Sequence, residues 1–358
     1  MASTPVKGIL IGAGGFGGAW VRAFLPAMMD ADRVRIVGIA DVNVETLAQA
    51  GDLLGVPEEA RFTDPLDLIA STDAKVAFVV IPLAARTPVV RAAAERGIHV
   101  LCEKPVAASW TQTLEIGRIV QAAGIKFAIM QNSREQNRIR TLKAIMQRPE
   151  LRNVNLIECR FAVNYTIETA GGAFRHQIPD AFIYEGAEHH LDQLRNLTGA
   201  EAGWVQGFQW GMPWSTFGVL TCLSQLIRMT NGTMVQYTMN HIEWGHQNGW
   251  HEEYYRVSTE GGTLTLDADN TIRLAREGPG QGEVAIAFEP IDGEPEEHIA
   301  LIGTFLDWVE GGDAPFNTFA DNVKMMALTF AAVEATHTGA RVDVQAMLDA
   351  AVASGELR

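Results

Sequence analysis

Apolar residues follow two rhythms along this chain, and the change falls near residue 130. In the first part, continuous apolar runs at 8–11, 34–40, 76–81, 99–102 and 126–130 alternate with helix-length segments at 19–28, 44–54, 88–96 and 109–123. Unbroken runs of this kind read as strands buried on both faces. Strands separated by helices predict a doubly wound parallel sheet. The punctuation agrees: Pro82 stops one run, Gly97 ends a helix, and Ser109 stands where it would cap the next.

Beyond residue 130, a helix rich in Arg and Gln at 138–146 leads to Pro149. Strands then follow one another at 155–162, 204–210, 233–240, 254–258, 262–267, 271–275 and 284–289. Turn signals such as Asn231-Gly232, Glu260-Gly261-Gly262 and Gly278-Pro279-Gly280 join them. One helix, 185–197, closed by Gly199, interrupts the series, and helices at 296–309 and 321–337 follow it. The expected architecture is α/β in two domains. Residues 1–130 form the doubly wound parallel sheet, and 131–358 an α/β domain around a large, mostly antiparallel open sheet. The last helices are free to pack back on the first domain.

The first turn sharpens this picture. The run 8–11 enters Gly12-Ala13-Gly14-Gly15-Phe16-Gly17, a helical segment follows, and the next run ends at Asp41. Strand, glycine turn, helix, strand and acid is the order of a Rossmann dinucleotide site. Gly12 permits the tight turn, Gly14 lets backbone approach a pyrophosphate, and Gly17 lets the helix pack on the strand. The positive helix end faces the phosphates. Asp41 would accept hydrogen bonds from the ribose hydroxyls. A carboxylate there repels a 2′-phosphate, and no Arg or Lys stands in Val42-Asn43-Val44-Glu45 to hold one, so NAD is expected over NADP.

Bulk properties narrow the partners. The 358 residues suffice for two cores, and 47% hydrophobic with 20% charged residues is ordinary for a globular protein. A formal net charge of −15 argues against nucleic acid or an anionic membrane as the main partner. Cys102, Cys159 and Cys222 are too few and scattered for a disulfide framework, which fits a reducing compartment. Neither a signal peptide nor a membrane-spanning helix is read from the sequence, so a cytoplasmic location is expected.

Two further segments carry chemistry. His99-Val100-Leu101-Cys102-Glu103-Lys104-Pro105 sets Lys104 at the carboxyl end of a strand, where doubly wound sheets bind ligands. A lysine beside a closed pocket can lose its proton near neutral pH through desolvation. In Glu185-Gly186-Ala187-Glu188-His189-His190-Leu191-Asp192, helical spacing places Glu185, His189 and Asp192 on one face. A carboxylate beside an imidazole orients it for acid–base work. Leu191, Leu194 and Leu197 point toward the core.

In that order, the glycine turn, Glu103-Lys104-Pro105 and Glu185-x-x-x-His189-x-x-Asp192 resemble the Gfo/Idh/MocA oxidoreductases, relatives of glucose–fructose oxidoreductase and inositol dehydrogenase. The likeness covers nearly the whole chain and includes Thr338-Gly339-Ala340-Arg341-Val342 near the end. It implies a Rossmann domain followed by a C-terminal domain whose open sheet mediates assembly into a homodimer or homotetramer. It implies that Lys104 and His189 line the site beside the nicotinamide, one of them taking the proton of the reacting hydroxyl. Asp192 would bind substrate or support His189.

The chain departs from the pattern at Glu185, where relatives usually carry Asp, and at Ala187, where they carry Gly. It also carries Pro82-Leu83-Ala84-Ala85-Arg86 in place of Pro-Asn-x-x-His, which alters the cofactor edge. The candidate catalytic residues are Lys104, His189, Glu185 and Asp192. The cofactor candidates are Gly12, Gly14, Gly15, Phe16, Gly17, Asp41, Pro82, Arg86, Glu103 and Lys104. Arg175 and His176 fall where relatives often place substrate contacts, with Arg160 and Tyr165 as fainter candidates. The Trp and Tyr residues between 204 and 255 read as packing and assembly contacts. The spacing of His241, His246 and His251 matches no common metal pattern.

The expected activity is hydride transfer between a sugar, inositol or related polyol hydroxyl and NAD. The alternative is an NAD-dependent glycosidase that oxidises its sugar transiently, eliminates the aglycone and returns the hydride. A non-catalytic NAD sensor is a third reading.

Overall fold

A computed structural model describes residues 4–166, 178–215, 220–245, 247–276, 284–286 and 295–357. The chain forms two compact units. Met1–Asn132, Pro295–Met326 and Ala351–Arg358 make the first; Ser133–Glu294 and Ala327–Ala350 make the second.

The first unit is built on β1 (Val6–Ile11), β2 (Val34–Ala40), β3 (Arg61–Phe62), β4 (Val76–Val79), β5 (His99–Cys102) and β6 (Phe127–Ile129). Every pair is parallel, and the order is β3-β2-β1-β4-β5-β6. Strand order reverses between β1 and β4, which opens a crevice at the carboxyl ends where such sheets hold ligands. The unbroken apolar sequence of β4 follows from burial of all four of its residues. Helices over residues 17–30, Val44–Leu53, Pro65–Ser71, Arg86–Glu95 and Trp110–Ala123 connect the strands. Ser109 caps the last of these by accepting from the Gln112 amide, and Gly124 ends it in the left-handed conformation.

The core of this unit draws on distant sequence. Leu10, Trp20, Leu25, Ile39, Phe78 and Leu101 pack with Leu301, Ile302, Phe305 and Leu306 of the helix Glu297–Val309. Each fully buried side chain of this size contributes roughly 1.5–3 kcal/mol.

The second unit is built on β7 (Leu156–Ala162), β8 (Ala202–Trp210), β9 (Cys222–Met229), β10 (Met234–Asn240), β11 (Tyr254–Thr259), β12 (Gly262–Leu266), β13 (Ile272–Ala275), β14 (Val284–Ile286) and β15 (Val342–Asp343). Among the described residues the order is β14-β13-β12-β11-β7-β10-β9-β8-β15. The β7–β10 pair is parallel and the other pairs are antiparallel. Alternate residues such as Ile227, Val235, Tyr237 and Val257 are buried, and Phe208 and Leu226 on the opposite face are exposed. That is the signature of a sheet covered on one side.

The strand β9 was not expected. Its alternation is interrupted by Gln225, which is buried because its amide donates to the Ala332 carbonyl. No helix of the described residues is long and apolar enough to cross a membrane.

Candidate active site

In the first unit, β1 runs into Gly12 at φ +92°, where a side chain would strike the Val80 carbonyl. A side chain at Gly17 would strike the Gly12 carbonyl, so the helix starts hard against the turn. Nothing lies within 4 Å of where a Cβ would stand on Gly15, and Phe16 is half exposed beside it. The turn therefore presents bare backbone. Asp41 Oδ2 accepts from the amides of Ala13 at 2.8 Å and Gly14 at 3.0 Å, and Oδ1 accepts from the Asn43 amide at 2.9 Å. The carboxylate is fixed at the edge of the turn.

The same helix carries a π-helical turn, Trp20–Phe24. The buried indole of Trp20 donates to Glu103 Oε1 at 2.9 Å. Burial pushes the Glu103 carboxyl above the usual range, while the Trp20 hydrogen bond and the charges of Lys104 and Arg86 pull against it. His298 Nε2 lies 3.7 Å from the same carboxylate, and its ring stacks on Phe24 at 4.3 Å. Lys104 follows, half-buried, and its bond to Pro105 is cis. Arg86, expected at the cofactor edge, is instead turned inward. Its Nε donates to the Ile81 carbonyl at 3.0 Å, and Nη1 donates to the carbonyls of Glu103 and Pro105. It clips the two strand-end turns together. Pro82 is exposed and opens the short turn Leu83–Ala85.

In the second unit, the motif helix begins as a π-helical turn, Ile183–Ala187, and continues as Glu188–Thr198, ended by Gly199 at φ +61°. Glu185 lies in that π-helical turn, while His189 and Asp192 lie in the regular helix after it. The helix is also buried nearly all round: Glu188, His189, His190, Asp192, Gln193 and Arg195 are inside along with the leucines.

Buried polar groups need partners. Asp192 is held by Arg134, through Nε and Nη2 at 2.6 Å each, and by Arg195 Nη1 at 3.2 Å. It thus serves an ion-pair cluster. The imidazole of His189 meets Ser133, Nδ1 to Oγ, at 2.9 Å. Ser133 is itself tied down, its carbonyl accepting from Gln193, whose Oε1 accepts from the Tyr255 hydroxyl. His190 lies between the Tyr237 hydroxyl at 2.7 Å and Glu253 Oε1 at 3.1 Å. Burial pushes Glu253 up, but His190, Arg138 and His251 outweigh it and hold the carboxyl at about 2.

The substrate candidates separate. The Tyr165 hydroxyl accepts from the Trp250 indole, and that indole stands 6.5 Å from the His189 ring. Arg160 alternates with the buried Cys159 and Phe161, and its guanidinium lies 5.4 Å over the Tyr254 ring, on the other face of the sheet. Arg175 and His176 lie outside the described residues.

The Gfo/Idh/MocA family model, an oxidoreductase family with an NAD-binding Rossmann fold, matches residues 6–131. The uncharacterised protein y4oX of Sinorhizobium fredii is 30% identical over 352 residues, covering 96% of each chain. The chain belongs to the Gfo/Idh/MocA oxidoreductases. D-apiose dehydrogenase of Rhizobium rhizogenes is 25% identical over 371 residues, covering 97% of this chain and all of that one. An oxidoreductase of Agrobacterium radiobacter, solved with NAD+, L-tartaric acid and magnesium, superposes with a TM-score of 0.81 at 21% identity, covering 96% of this chain and all of the other.

For this member of the Gfo/Idh/MocA family, the first unit is an NAD-binding Rossmann domain, and its residues fit that cofactor. The turn at Gly12, Gly14 and Gly15 leaves the backbone open to a pyrophosphate, and Asp41 is fixed where a ribose would need an acceptor. Sequence reasoning missed Ser133 and Arg134. They come four and five residues after the last strand of the parallel sheet ends at Ile129, near the carboxyl end where such sheets hold ligands. It read Trp250 as a packing or assembly contact and weighed Glu253 only beside the histidines of a metal reading.

Proposed function

We propose that this protein is an NAD-dependent dehydrogenase acting on a hydroxyl of a sugar, inositol or related polyol. The observation that carries the reading is the Ser133–His189 pair, an imidazole set by a hydroxyl on a helix of buried polar side chains. When bound, NAD supplies the acceptor for the hydrogen on the reacting carbon. This chain's residues handle the proton. With Nδ1–H donating to Ser133 Oγ, His189 keeps its lone pair on Nε2 and can accept the hydroxyl proton there. Lys104 is the second proton-handling group, set by the turn that Arg86 clips. Asp41 favours NAD over NADP, because a carboxylate held by three amides cannot swing away from a 2′-phosphate.

Kinship with a D-apiose dehydrogenase over nearly the full length supports a carbohydrate as substrate. The exposed Phe208 and Leu226 on the open sheet face support self-association through that sheet.

The test is incubation of pure protein with NAD and a panel of free sugars, inositols, sugar acids and chromogenic glycosides, following NADH and aglycone together. NADH formation on a free polyol, lost in Lys104→Ala and His189→Ala, is the expected result. Turnover that survives both substitutions overturns the assignment of those residues. Aglycone release that needs NAD but leaves no NADH makes the protein a glycosidase instead.

A further inference from the structure

Trp250 has no part in the proton chemistry, yet it stands beside His189 on a loop that is pinned at both ends. Asn248, buried, donates its backbone amide to the Ala162 carbonyl at 2.6 Å and its side-chain amide to the Glu252 carbonyl at 2.9 Å. The Gly249 amide donates to Glu252 Oε2 at 2.9 Å. His251 adopts φ +67°, a conformation that costs a non-glycine residue about 1 kcal/mol or more. It is kept there by its amide donating to Glu253 Oε1 at 3.0 Å, by Arg138 Nη1 donating to its carbonyl at 2.6 Å, and by Gln136 against its ring.

What the loop holds is the indole. Trp250 Nε1 donates to the Tyr165 hydroxyl, and the Phe161 ring lies 5.0 Å away. Its Cη2 rests over Gly186 of the π-helical turn, 3.4 Å from where a Cβ would stand. The His189 and His251 rings lie 6.5 and 6.4 Å away. With all these neighbours, 41% of Trp250 stays open to solvent. A rigid indole loses little freedom when it binds and offers a flat apolar face. Ring-form sugars and cyclitols have a matching C–H face bordered by hydroxyls. Open-chain polyols have no such face.

We propose that Trp250 is a stacking platform that selects ring-form polyols over open-chain ones at His189. This rests on His189 being the proton acceptor of a polyol dehydrogenase. The indole positions the ring so that one of its hydroxyls reaches His189, and Tyr165 fixes the plane of the indole.

The test compares wild type, Trp250→Phe, Trp250→Leu and Trp250→Ala with NAD on inositols, aldoses and open-chain alditols, checking each protein for thermal midpoint and NAD affinity. Trp250→Ala is expected to raise KM for ring substrates about tenfold or more, the loss of one stacked contact. The preference for ring over open-chain substrates falls with it, NAD affinity stays unchanged, and Trp250→Phe keeps most of the preference. Should Trp250→Ala melt early, Trp250→Leu, which keeps bulk without the flat face, carries the comparison. An unchanged preference in folded Trp250→Ala or Trp250→Leu overturns the platform while leaving the dehydrogenase intact. A wild-type protein that oxidises no polyol removes the dehydrogenase reading, and the platform falls with it.

Discussion

Arg134 grips Asp192 with two nitrogens, Nε and Nη2, each 2.6 Å from a different carboxylate oxygen, and both side chains are buried. Arg195 adds a third contact to the same carboxylate and turns its other nitrogens to Glu201. Removing one partner of a buried cluster leaves charge unanswered inside the protein, at about 3–5 kcal/mol. Asp192→Asn is therefore expected to lower the thermal midpoint sharply, and His189→Ala much less. Calorimetry on both variants checks this. A midpoint unchanged in Asp192→Asn would mean that the cluster is not structural.

Ser133 Oγ lies 2.9 Å from Nδ1 of His189, where it can fix the ring. Ser133→Ala is expected to lower kcat by about 10- to 100-fold, since general base catalysis depends on orientation. NAD affinity should not change, and Ser133→Thr should recover much of the rate. The pH profile of kcat should shift in Ser133→Ala. If the profile and kcat both match wild type, the hydroxyl does not orient His189.

Asp41 accepts three backbone amides, and the proposed function gives it the ribose of NAD as well. Asp41→Asn should weaken NADH binding by roughly tenfold or more, the usual worth of a charged hydrogen bond. It should weaken NADPH binding less, because it also removes the repulsion of a 2′-phosphate. Fluorescence titration with both nucleotides gives the ratio, and a constant ratio would remove Asp41 from cofactor selection.

Acid should unfold the second unit through two groups with the same sign. Glu253 is held at about 2 in the fold against an ordinary carboxyl value of 4.5. A depressed carboxyl contributes stability above pH 4.5 and loses it as pH falls toward 2, on the order of 3 kcal/mol in all. Burial, with help from the His190 charge, holds the His241 imidazole well below 6.5. The unfolded chain takes up that proton first, so stability also falls as pH drops below 6.5. Melting from pH 7 down to 4 should show a steady decline, and Glu253→Gln should flatten its acid end.

Glu103 has the opposite sign. Burial raises its carboxyl, so its contribution is full below pH 4.5 and is lost as pH rises through the raised value. Glu103→Gln keeps an acceptor for the Trp20 indole and removes the buried charge. It should raise the thermal midpoint at pH 8 and change it little at pH 4. Equal midpoints at pH 8 would mean that His298, Lys104 and Arg86 already compensate the charge.

Much of this was readable in the sequence, for identifiable reasons. The parallel sheet announced itself because strands buried on both faces, such as β4, admit no polar residue. The glycine turn was legible because Gly12 and Gly17 are places where backbone leaves no room for a Cβ. The motif helix was found, but not its π-helical turn, since no composition rule marks the extra residue of such a turn. The Arg134–Asp192 pair joins residues far apart in sequence, and helix periodicity speaks only to neighbours three or four apart. Arg86 read as a cofactor-edge residue from its place in the family pattern, and such a pattern does not show that its guanidinium is satisfied by three carbonyls. Gln225 hid β9 by the same kind of exception, a buried amide answered by a single distant carbonyl.

All six strands of the parallel sheet are synthesised by residue 129, yet four of the side chains that cover it, Leu301, Ile302, Phe305 and Leu306, are made only after strands β7 to β14. For that interval the nascent Rossmann sheet carries an unfilled apolar groove. The growing chain must either shield that groove with something else or keep the sheet loose until its C-terminal third is made. Completion of the NAD-binding unit is thereby tied to synthesis of the helix Glu297–Val309, and a product truncated before it would hold the glycine turn without those core side chains.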